Sequence, residues 1–254
     1  MARTAQNPVK SVETTFEILN GLKDLGGAGV TELSRHLDLP KSTIHNYLST
    51  LEQEEYIVND DGRYRVGLRF LELGAYSRHR QKLFRIAKPE VDRLASETGE
   101  LANVLVEEHG RGSYLYRARG EQAVQVKAHV GTRVPLHSTA LGKAILAHLP
   151  RERVETISER HGLGTETDNA ASTLAELEDT LETVRETGVA FDDEERLDGL
   201  RCVAAPVLNN NGTVLGAISV SGPTNRFRDD RFTEELPQKV LEVANVIELN
   251  VTYS

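Results

Sequence analysis

The chain has 254 residues, of which 39% are hydrophobic and 27% charged, a composition typical of a globular protein. No apolar run approaches the roughly 20 residues that a membrane-spanning helix needs, and the stretch Met1–Pro8 lacks the apolar core of a signal peptide. The single cysteine, Cys202, excludes an intrachain disulfide. It suits the reducing cytoplasm, where we expect the protein to act.

Charge is spread unevenly along the chain, whose net charge is −9. Residues 1–82 hold 11 basic and 11 acidic side chains, whereas the remaining residues hold 19 and 28. This distribution argues against diffuse nucleic-acid binding and favours contact through the N-terminal part alone. Only 8 of the 30 basic residues are lysine. With the acidic surplus this indicates a high-salt cytoplasm, although a GC-rich genome alone gives the same arginine bias.

The stretch from Thr31 to Gln53 predicts two helices joined by a tight turn. A helix over Thr31–Leu37 is stopped before Pro40, because the residue preceding a proline is pushed out of the helical region. A second helix follows over Lys41–Gln53, and its apolar stripe comprises Ile44, Tyr47, Leu48 and Leu51. Its opposite face carries the uncharged polar residues Ser42, His45, Asn46, Ser49 and Gln53. Such a face suits the base edges of a major groove.

A β-hairpin is predicted directly after this helix. The runs 56–58 and 63–66 are rich in β-forming residues and flank the turn signal Asp61-Gly62. Alternation places Tyr64 and Val66 toward the core and Arg63 and Arg65 outward. Helix and hairpin together predict a winged helix-turn-helix, with the wing on phosphates or in the minor groove. The alternative is a small helical domain with a solvated polar helix.

Helices are also predicted on both sides of this unit. The first spans Val12–Leu25 and has an inward stripe that comprises Val12, Phe16, Leu19 and Leu22. The second spans Leu68–Lys82 and is too apolar for a free linker. We expect it to pack against the same helix of a second subunit.

From Leu83 onward the pattern predicts an α+β domain in which helices pack on an antiparallel sheet. The predicted helices are 85–98, 139–148, 152–160, 174–187 and a final one over 229–251 that is kinked near Pro237. The predicted strands are 101–107, 113–119, 123–130, 189–192, 202–208 and 213–221.

Three stretches carry a resemblance to a known family. They are Leu39-Pro40-Lys41-Ser42-Thr43-Ile44-His45, the run from Gly131 to Ala144 that contains His137-Ser138-Thr139-Ala140-Leu141-Gly142-Lys143, and the segments Gly188–Glu195, Gly199–Pro206 and Ser219–Pro223. In these the chain resembles the IclR family of transcription regulators. The resemblance implies a winged helix-turn-helix domain (1–67), a linker and dimerisation helix (68–82) and a GAF-like effector-binding domain (83–254), assembled as a homodimer or a dimer of dimers.

The resemblance also implies site residues. For double-stranded DNA they are Lys41, Ser42, Thr43, His45, Asn46, Ser49, Arg63 and Arg65. For a small-molecule effector they are Val126, Val134, Ala140, Leu141, Asp192, Leu200, Cys202, Ser219 and Ser221. One position departs from the family, which commonly has arginine in place of Asn46. Because asparagine pairs with adenine through two hydrogen bonds, specificity is expected to shift toward A·T there.

The residues themselves support part of this effector site. Ala140 and Leu141 begin a helix, where free amides favour an anion, and Ser219 and Ser221 share one face of an apolar strand. In the pocket, Asp192 is expected to accept a ligand hydroxyl or to be screened by a neighbouring donor such as Arg201. The alternatives are solvent-facing serines, a solvated acidic run at Asp192 and an inert buried Cys202. We expect an anionic or polyhydroxylated metabolite.

The leading hypothesis is a metabolite-responsive DNA-binding regulator that is not an enzyme, needs no cofactor and has no membrane partner. The chain contains neither a Gly-x-Ser-x-Gly nor a His-Glu-x-x-His motif, so a catalytic or metal-binding set such as His137, Asp192 and Cys202 is disfavoured. The rival is an enzyme or a metabolite-binding module whose helix-turn-helix contacts proteins. Activation and repression are equally compatible with the sequence.

Overall fold

The computed structural model describes residues 5–164 and 167–253, and its contacts divide the chain into two units, residues 1–77 and 78–254. In the described part of the first unit lie α1 (Lys10–Asp24), α2 (Val30–Leu37), α3 (Lys41–Gln53) and the antiparallel hairpin of β1 (Ile57–Asp60) and β2 (Arg63–Val66). The predicted winged helix-turn-helix is confirmed, and α3 has the predicted bounds.

The apolar core of the first unit joins all of these elements around Ile18, Leu33, Ile44, Leu48 and Tyr64. The predicted inward stripe of α1 was partly wrong. Leu19 and Leu22 are buried with Ile18, but Val12 is exposed and 58% of Phe16 is exposed. The helix carries two apolar stripes at i, i+4 spacing, and only one of them faces the core.

The prediction for β2 was also partly wrong. Tyr64 is buried, but Val66 is 40% exposed, and the core contact at that end of the hairpin is made by its strand partner Ile57, which is 3% exposed. Asp61 and Gly62 both have positive φ, at 49° and 82°, which is the geometry of the turn that Asp-Gly favours.

The two helices predicted after the wing, over 68–82 and 85–98, are both present. α4 (Arg69–Arg80) ends before Gln81, and α5 (Lys82–Thr98) follows and is ended by Gly99, whose φ is 74°. Phe70 of α4 packs on Tyr56, with ring centroids 4.8 Å apart. The other large apolar side chains at the start of α4 are exposed, and they are Leu68, Leu71 and Leu73.

The second unit is built on an antiparallel sheet, in agreement with the α+β prediction. In the described residues its strand order is β5-β4-β3-β8-β7-β6. The strands are β3 (Leu101–Glu108), β4 (Arg111–Arg119), β5 (Arg133–Val134), β6 (Ala190–Asp193), β7 (Leu200–Leu208) and β8 (Val214–Pro223). The remaining helices are α6 (Ala140–Leu146), α7 (Arg151–His161), α8 (Leu174–Thr187) and α9 (Leu236–Tyr253), the last preceded by a π-helical turn over Arg231–Glu235.

Alternation along the strands gives the sheet two apolar faces. One face, represented by Val104, Val203 and Val220, is covered by α5 and α9. The other, represented by Leu105, Ala204 and Ala217, is covered by α6, and α8 packs on α6. Gly142 of α6 lies directly against the backbone of Leu136. A Cβ at position 142 would be 2.1 Å from the carbonyl oxygen of Leu136, so glycine is required for this contact.

The strand predicted over residues 123–130 was wrong, because this segment is irregular and pairs with no described strand. Its alternating apolar residues Val124, Val126 and Ala128 are half-buried. The short β5 took the sheet-edge position instead. No helix among the described residues is both long and apolar enough to cross a membrane.

Candidate functional site

The outer face of α3 is a continuous polar surface. The buried positions of this helix are Ile44, Leu48 and Leu51. On the opposite side the exposed residues are Lys41, Ser42, His45, Asn46 and Ser49, and Thr43 is half-buried beside them. Because Ser42, His45, Asn46 and Ser49 are spaced i, i+3, i+4 and i+7, they form one stripe along the helix. This stripe can present hydrogen-bonding groups to another polar surface.

The two wing arginines differ in their contacts. The Arg63 guanidinium donates to the carbonyl oxygen of Gly27 and lies 3.6 Å from a carboxylate oxygen of Glu32, so it is tied to the body of the unit. Arg65 pairs with Asp60 within the wing at 3.1 Å. Both side chains are more than half exposed, where ion pairs are weak and exchangeable. Arg65 is therefore the freer of the two to reach a phosphate.

In the second unit, sheet register brings polar side chains from five strands onto one face. Asn103 of β3 is paired with Arg117 of β4 and with Ser219 of β8. One rung further along, Ser221 of β8 is paired with Cys202 of β7, and Cys202 with Asp192 of β6. Since residues two apart in a strand share a face, these six side chains lie on the side of the sheet covered by α6.

Hydrogen bonds link the members of this polar row. Arg117 Nε donates to Asn103 Oδ1 at 3.0 Å. Asn103 Nδ2 lies 3.2 Å from the Oγ of Ser219 and 3.4 Å from that of Ser221. Asn103, Ser219 and Ser221 are all buried. The serines are therefore not solvent-facing, and buried hydroxyls in such a row are available to a ligand.

The Asp192 carboxylate is held in an unusual electrostatic environment. Burial, with the nearby negative charge of Glu195, raises its pKa to about 6. Its Oδ1 accepts from the Glu195 amide at 2.9 Å. The expectation that Arg201 is a donor beside Asp192 was wrong. The Arg201 guanidinium instead pairs with Asp193 and donates to the carbonyl oxygen of Phe227. Arg201 and Asp193 face away from Asp192 because successive strand residues point to opposite faces.

These residues line one small cavity between the sheet and α6. Eight of the nine predicted effector residues line it: Val126, Ala140, Leu141, Asp192, Leu200, Cys202, Ser219 and Ser221. The ninth, Val134, is buried in the core beneath α6 and does not line the cavity. The cavity also has lining residues that the sequence analysis missed: Leu101, Asn103, Tyr114, Arg117, Thr139, Arg196 and Leu197. Asn103 had a signal, since it interrupts the apolar run of β3.

Neutral and cationic groups dominate the cavity lining. Burial raises the pKa of the Tyr114 phenol and raises that of the Cys202 thiol well above its ordinary value, so both are neutral near pH 7.

The start of α6 is capped by Thr139, whose Oγ1 accepts from the Gly142 amide at 3.1 Å. α6 has only seven residues, so its dipole contributes less than the predicted helix terminus implied.

Free space in this cavity is about 20 Å³, which is room for about one water molecule. An organic metabolite therefore requires side chains to move apart. The loop over residues 194–199 supplies Arg196 and Leu197 to the lining. The loop is anchored at its start by the buried ion pair of Lys143 with Glu195, and it closes on itself where the Gly199 amide donates to Glu194 Oε2 at 2.7 Å.

His137 lies outside this cavity. It is buried, and its Nε2 is 3.0 Å from the carbonyl oxygen of Gly164. Burial lowers its pKa. Among residues 5–164 and 167–253 no three His, Cys, Asp or Glu side chains form a group that could hold a metal ion.

Comparison with known proteins places these features in a family. Residues 76–249 match the family described as "Bacterial transcriptional regulator IclR C-terminal", and residues 11–61 match "IclR helix-turn-helix domain". The chain is 37% identical to a probable HTH-type transcriptional regulator ArcR of Halobacterium salinarum, over 96% of this chain and 94% of that protein. It is 32% identical to the HTH-type transcriptional repressor AllR of Escherichia coli K12, over 91% and 86% respectively.

Solved structures share the fold. The Thermotoga maritima IclR matches with a TM-score of 0.79 and 28% identity, over 96% of this chain and 99% of that one. An IclR homolog from Microbacterium hydrocarbonoxydans, complexed with 4-hydroxybenzoate, matches with a TM-score of 0.80 and 22% identity, over 94% and 98%. With both of its domains matched, this chain belongs to the IclR family of transcriptional regulators.

Proposed function

We propose that this regulator binds an operator through α3 and the wing, and that a small metabolite in the cavity of the second unit changes that binding. The observation that carries the proposal is the row of hydrogen-bonding side chains from five strands around one cavity. Buried polar groups cost free energy unless they are satisfied. A site that gathers Asn103, Ser219, Ser221 and Asp192 on an otherwise apolar face is better suited to a polar ligand than to packing alone.

In the DNA complex, the polar stripe of α3 enters the major groove. Ser42, Thr43, His45, Asn46 and Ser49 approach base edges, Lys41 approaches a phosphate, and the wing residues Arg63 and Arg65 lie on the backbone or in the minor groove. The match of residues 11–61 to a helix-turn-helix domain supports this geometry. An acidic second unit keeps the contact local, since the domain from residue 83 onward carries the excess negative charge. The cytoplasm is the compartment in which such a regulator reaches its operator.

The assembly is a homodimer, or a dimer of such dimers, built on the segment 68–82. Leu68, Leu71 and Leu73 are exposed on the described chain, and exposed apolar side chains grouped on one helix favour a partner surface. A two-fold dimer places two recognition helices on half-sites near whole helical turns apart. The proposed domains are the DNA-binding domain over 1–67, the dimerisation segment over 68–82 and the effector-binding domain over 83–254.

The effector is an organic acid or a sugar-derived compound held by Ser219, Ser221, Asp192 and Cys202, with Val126, Ala140, Leu141 and Leu200 around it. The Microbacterium homolog was solved with an aromatic hydroxy acid, which is one member of this class. Asp192, with a pKa near 6, can accept a hydrogen bond from a ligand hydroxyl when ionised and donate one when protonated.

An electrophoretic mobility shift with DNA from upstream of the protein's own gene tests the proposal. The full chain is expected to retard that fragment at low salt in the presence of unspecific competitor DNA, and a metabolite pool from the producing cells is expected to change the retarded fraction. Absence of any shift at low salt, together with turnover of a metabolite, would support the rival enzyme instead.

A further inference from the structure

The cavity has two positive charges that the proposed function does not use. Arg117 of β4 and Arg196 of the loop 194–199 both contribute to its lining. Burial lowers the pKa of Arg117, and the positive charges of Arg119 and then Arg196 lower it further, so Arg196 lies close enough to interact with Arg117. A guanidinium stays protonated in proteins. The two positive charges therefore repel one another, and they do so more strongly at a partly buried site than in water.

The anionic groups nearby do not neutralise this pair. Asp192 is the one carboxylate in the described lining. Glu195, its neighbour, is occupied by the ion pair with Lys143. Two guanidinium groups against one weakly acidic carboxylate leave the cavity with a net positive charge.

Hydrogen-bonding capacity is also left over. Arg117 donates to Asn103 Oδ1 and to the carbonyl of Ala128, and a guanidinium has five N–H groups. The Nε of Arg196 is buried and has no hydrogen-bond partner among the described residues. A buried N–H without an acceptor is rare and costs free energy. An acceptor supplied by a ligand would remove that cost.

We propose that Arg117 and Arg196 are specificity-determining residues that bind a carboxylate of the effector from two sides. This rests on the proposed function and selects among its ligand classes: the effector is an organic acid, and a neutral sugar is excluded. A carboxylate matches the planar fork of a guanidinium. Ser219, Ser221 and Asp192 are then left for a hydroxyl or carbonyl elsewhere on the same molecule.

Matched pairs of compounds test this on the full chain. The acids are lactate, 4-hydroxybenzoate and gluconate, and their neutral counterparts are lactamide, 4-hydroxybenzamide and gluconamide; glucose is added as a neutral sugar. Binding is followed by calorimetry and by the shift in melting temperature. At least one acid is expected to bind and stabilise the protein, and its neutral counterpart is expected to do neither.

Three variants separate charge recognition from folding. Arg196→Gln is expected to weaken binding of that acid by about 10- to 100-fold, because one charge-assisted hydrogen bond is lost. Arg117→Lys keeps the charge and is expected to show a smaller loss. Arg133→Gln is the matched control, because Arg133 is an exposed arginine of β5 that does not line the cavity; it should bind as the parent does.

Three outcomes would overturn the assignment. If a neutral compound binds as tightly as its acid, or if Arg196→Gln binds the acid with unchanged affinity, the arginines do not determine specificity, yet the proposed effector site stands as long as binding depends on Ser219 and Ser221. If no compound of either set binds, the assignment falls together with the proposed effector class.

Discussion

Lys143 and Glu195 form an ion pair that is almost closed to solvent, with 4% and 13% of their side chains exposed. The pair joins α6 to the first part of the loop 194–199, and the next residue, Arg196, lines the cavity. The amide of Glu195 also donates to Asp192. One contact therefore positions the carboxylate of Asp192 and the guanidinium of Arg196 together.

Replacing Lys143 with Met is expected to destabilise the protein by about 3 kcal/mol, because a buried carboxylate loses its cation. Urea denaturation of the full chain measures this. Adding Glu195→Gln should recover part of the loss, since the double variant no longer has an unpaired carboxylate at this position. Arg151→Met, which breaks only the exposed pairs with Glu155 and Glu178, is the control and should change the free energy of unfolding little. A Lys143→Met variant as stable as this control would contradict the account.

Asp192 makes the stability depend on pH in a defined direction. Its pKa in the folded chain is raised to about 6 from 3.8, so folding favours the protonated form. This contribution is fully present below about pH 4 and is lost as the pH rises through 6. A rise of this size corresponds to about 2–3 kcal/mol.

The variant Asp192→Asn lacks this titration while keeping an oxygen for the Glu195 amide. The difference in free energy of unfolding between variant and parent is therefore expected to grow in favour of the variant from pH 4 to pH 7. Other titrating groups cancel in the difference. A difference that is constant over this range would mean that Asp192 titrates normally.

Asn46 is expected to read one base pair. Asn46→Ala should reduce the preference at that position by about 1–3 kcal/mol, measured as relative affinities for a set of operator variants. Arg65→Ala should instead weaken every sequence alike and flatten the salt dependence, because it removes a phosphate contact. Glu52→Ala, exposed near the end of α3, serves as the control. If Asn46→Ala ranks the operator variants as the parent does, base reading belongs to other residues.

Leu71 is expected to lie at the contact between two copies, and 65% of it is exposed on a single chain. Leu71→Asp would place a charge in an apolar contact and so release single chains in sedimentation velocity, with lower operator affinity. Glu72→Gln, the next residue on the same exposed helix, should leave both properties unchanged. An unaltered sedimentation coefficient and affinity for Leu71→Asp would exclude this segment from the interface.

Local signals in the sequence were strong enough to predict several elements with their bounds. α3 follows from its apolar spacing and Pro40, and α8 from its amphipathic spacing; in the structure the start of α8 is further fixed by a capping box between Thr173 and Glu176. The sheet strands followed from alternation. These features depend on residues close together in the chain.

Features that depend on distant residues were predicted less well. Alternation over 123–130 does not show whether a strand neighbour exists, and here the segment lines the cavity edge instead. The sequence does not show which of the two apolar stripes of α1 faces the core. The prediction that Phe16 points inward was therefore wrong. Arg117 and Arg196 are far apart in the chain, and only sheet register and the loop after β6 bring them to one cavity.

The central claim is that the cavity controls DNA binding, and fluorescence anisotropy tests it most directly. Labelled DNA from upstream of the protein's own gene is titrated with the full chain, with and without each acid of the panel, for the parent and for the double variant Ser219→Ala/Ser221→Ala. We predict that one acid changes the parent's Kd for DNA by at least about fivefold, and that the double variant keeps the parent's Kd for DNA but loses the response. A double variant that responds like the parent, or a parent whose Kd no acid changes, would contradict the account.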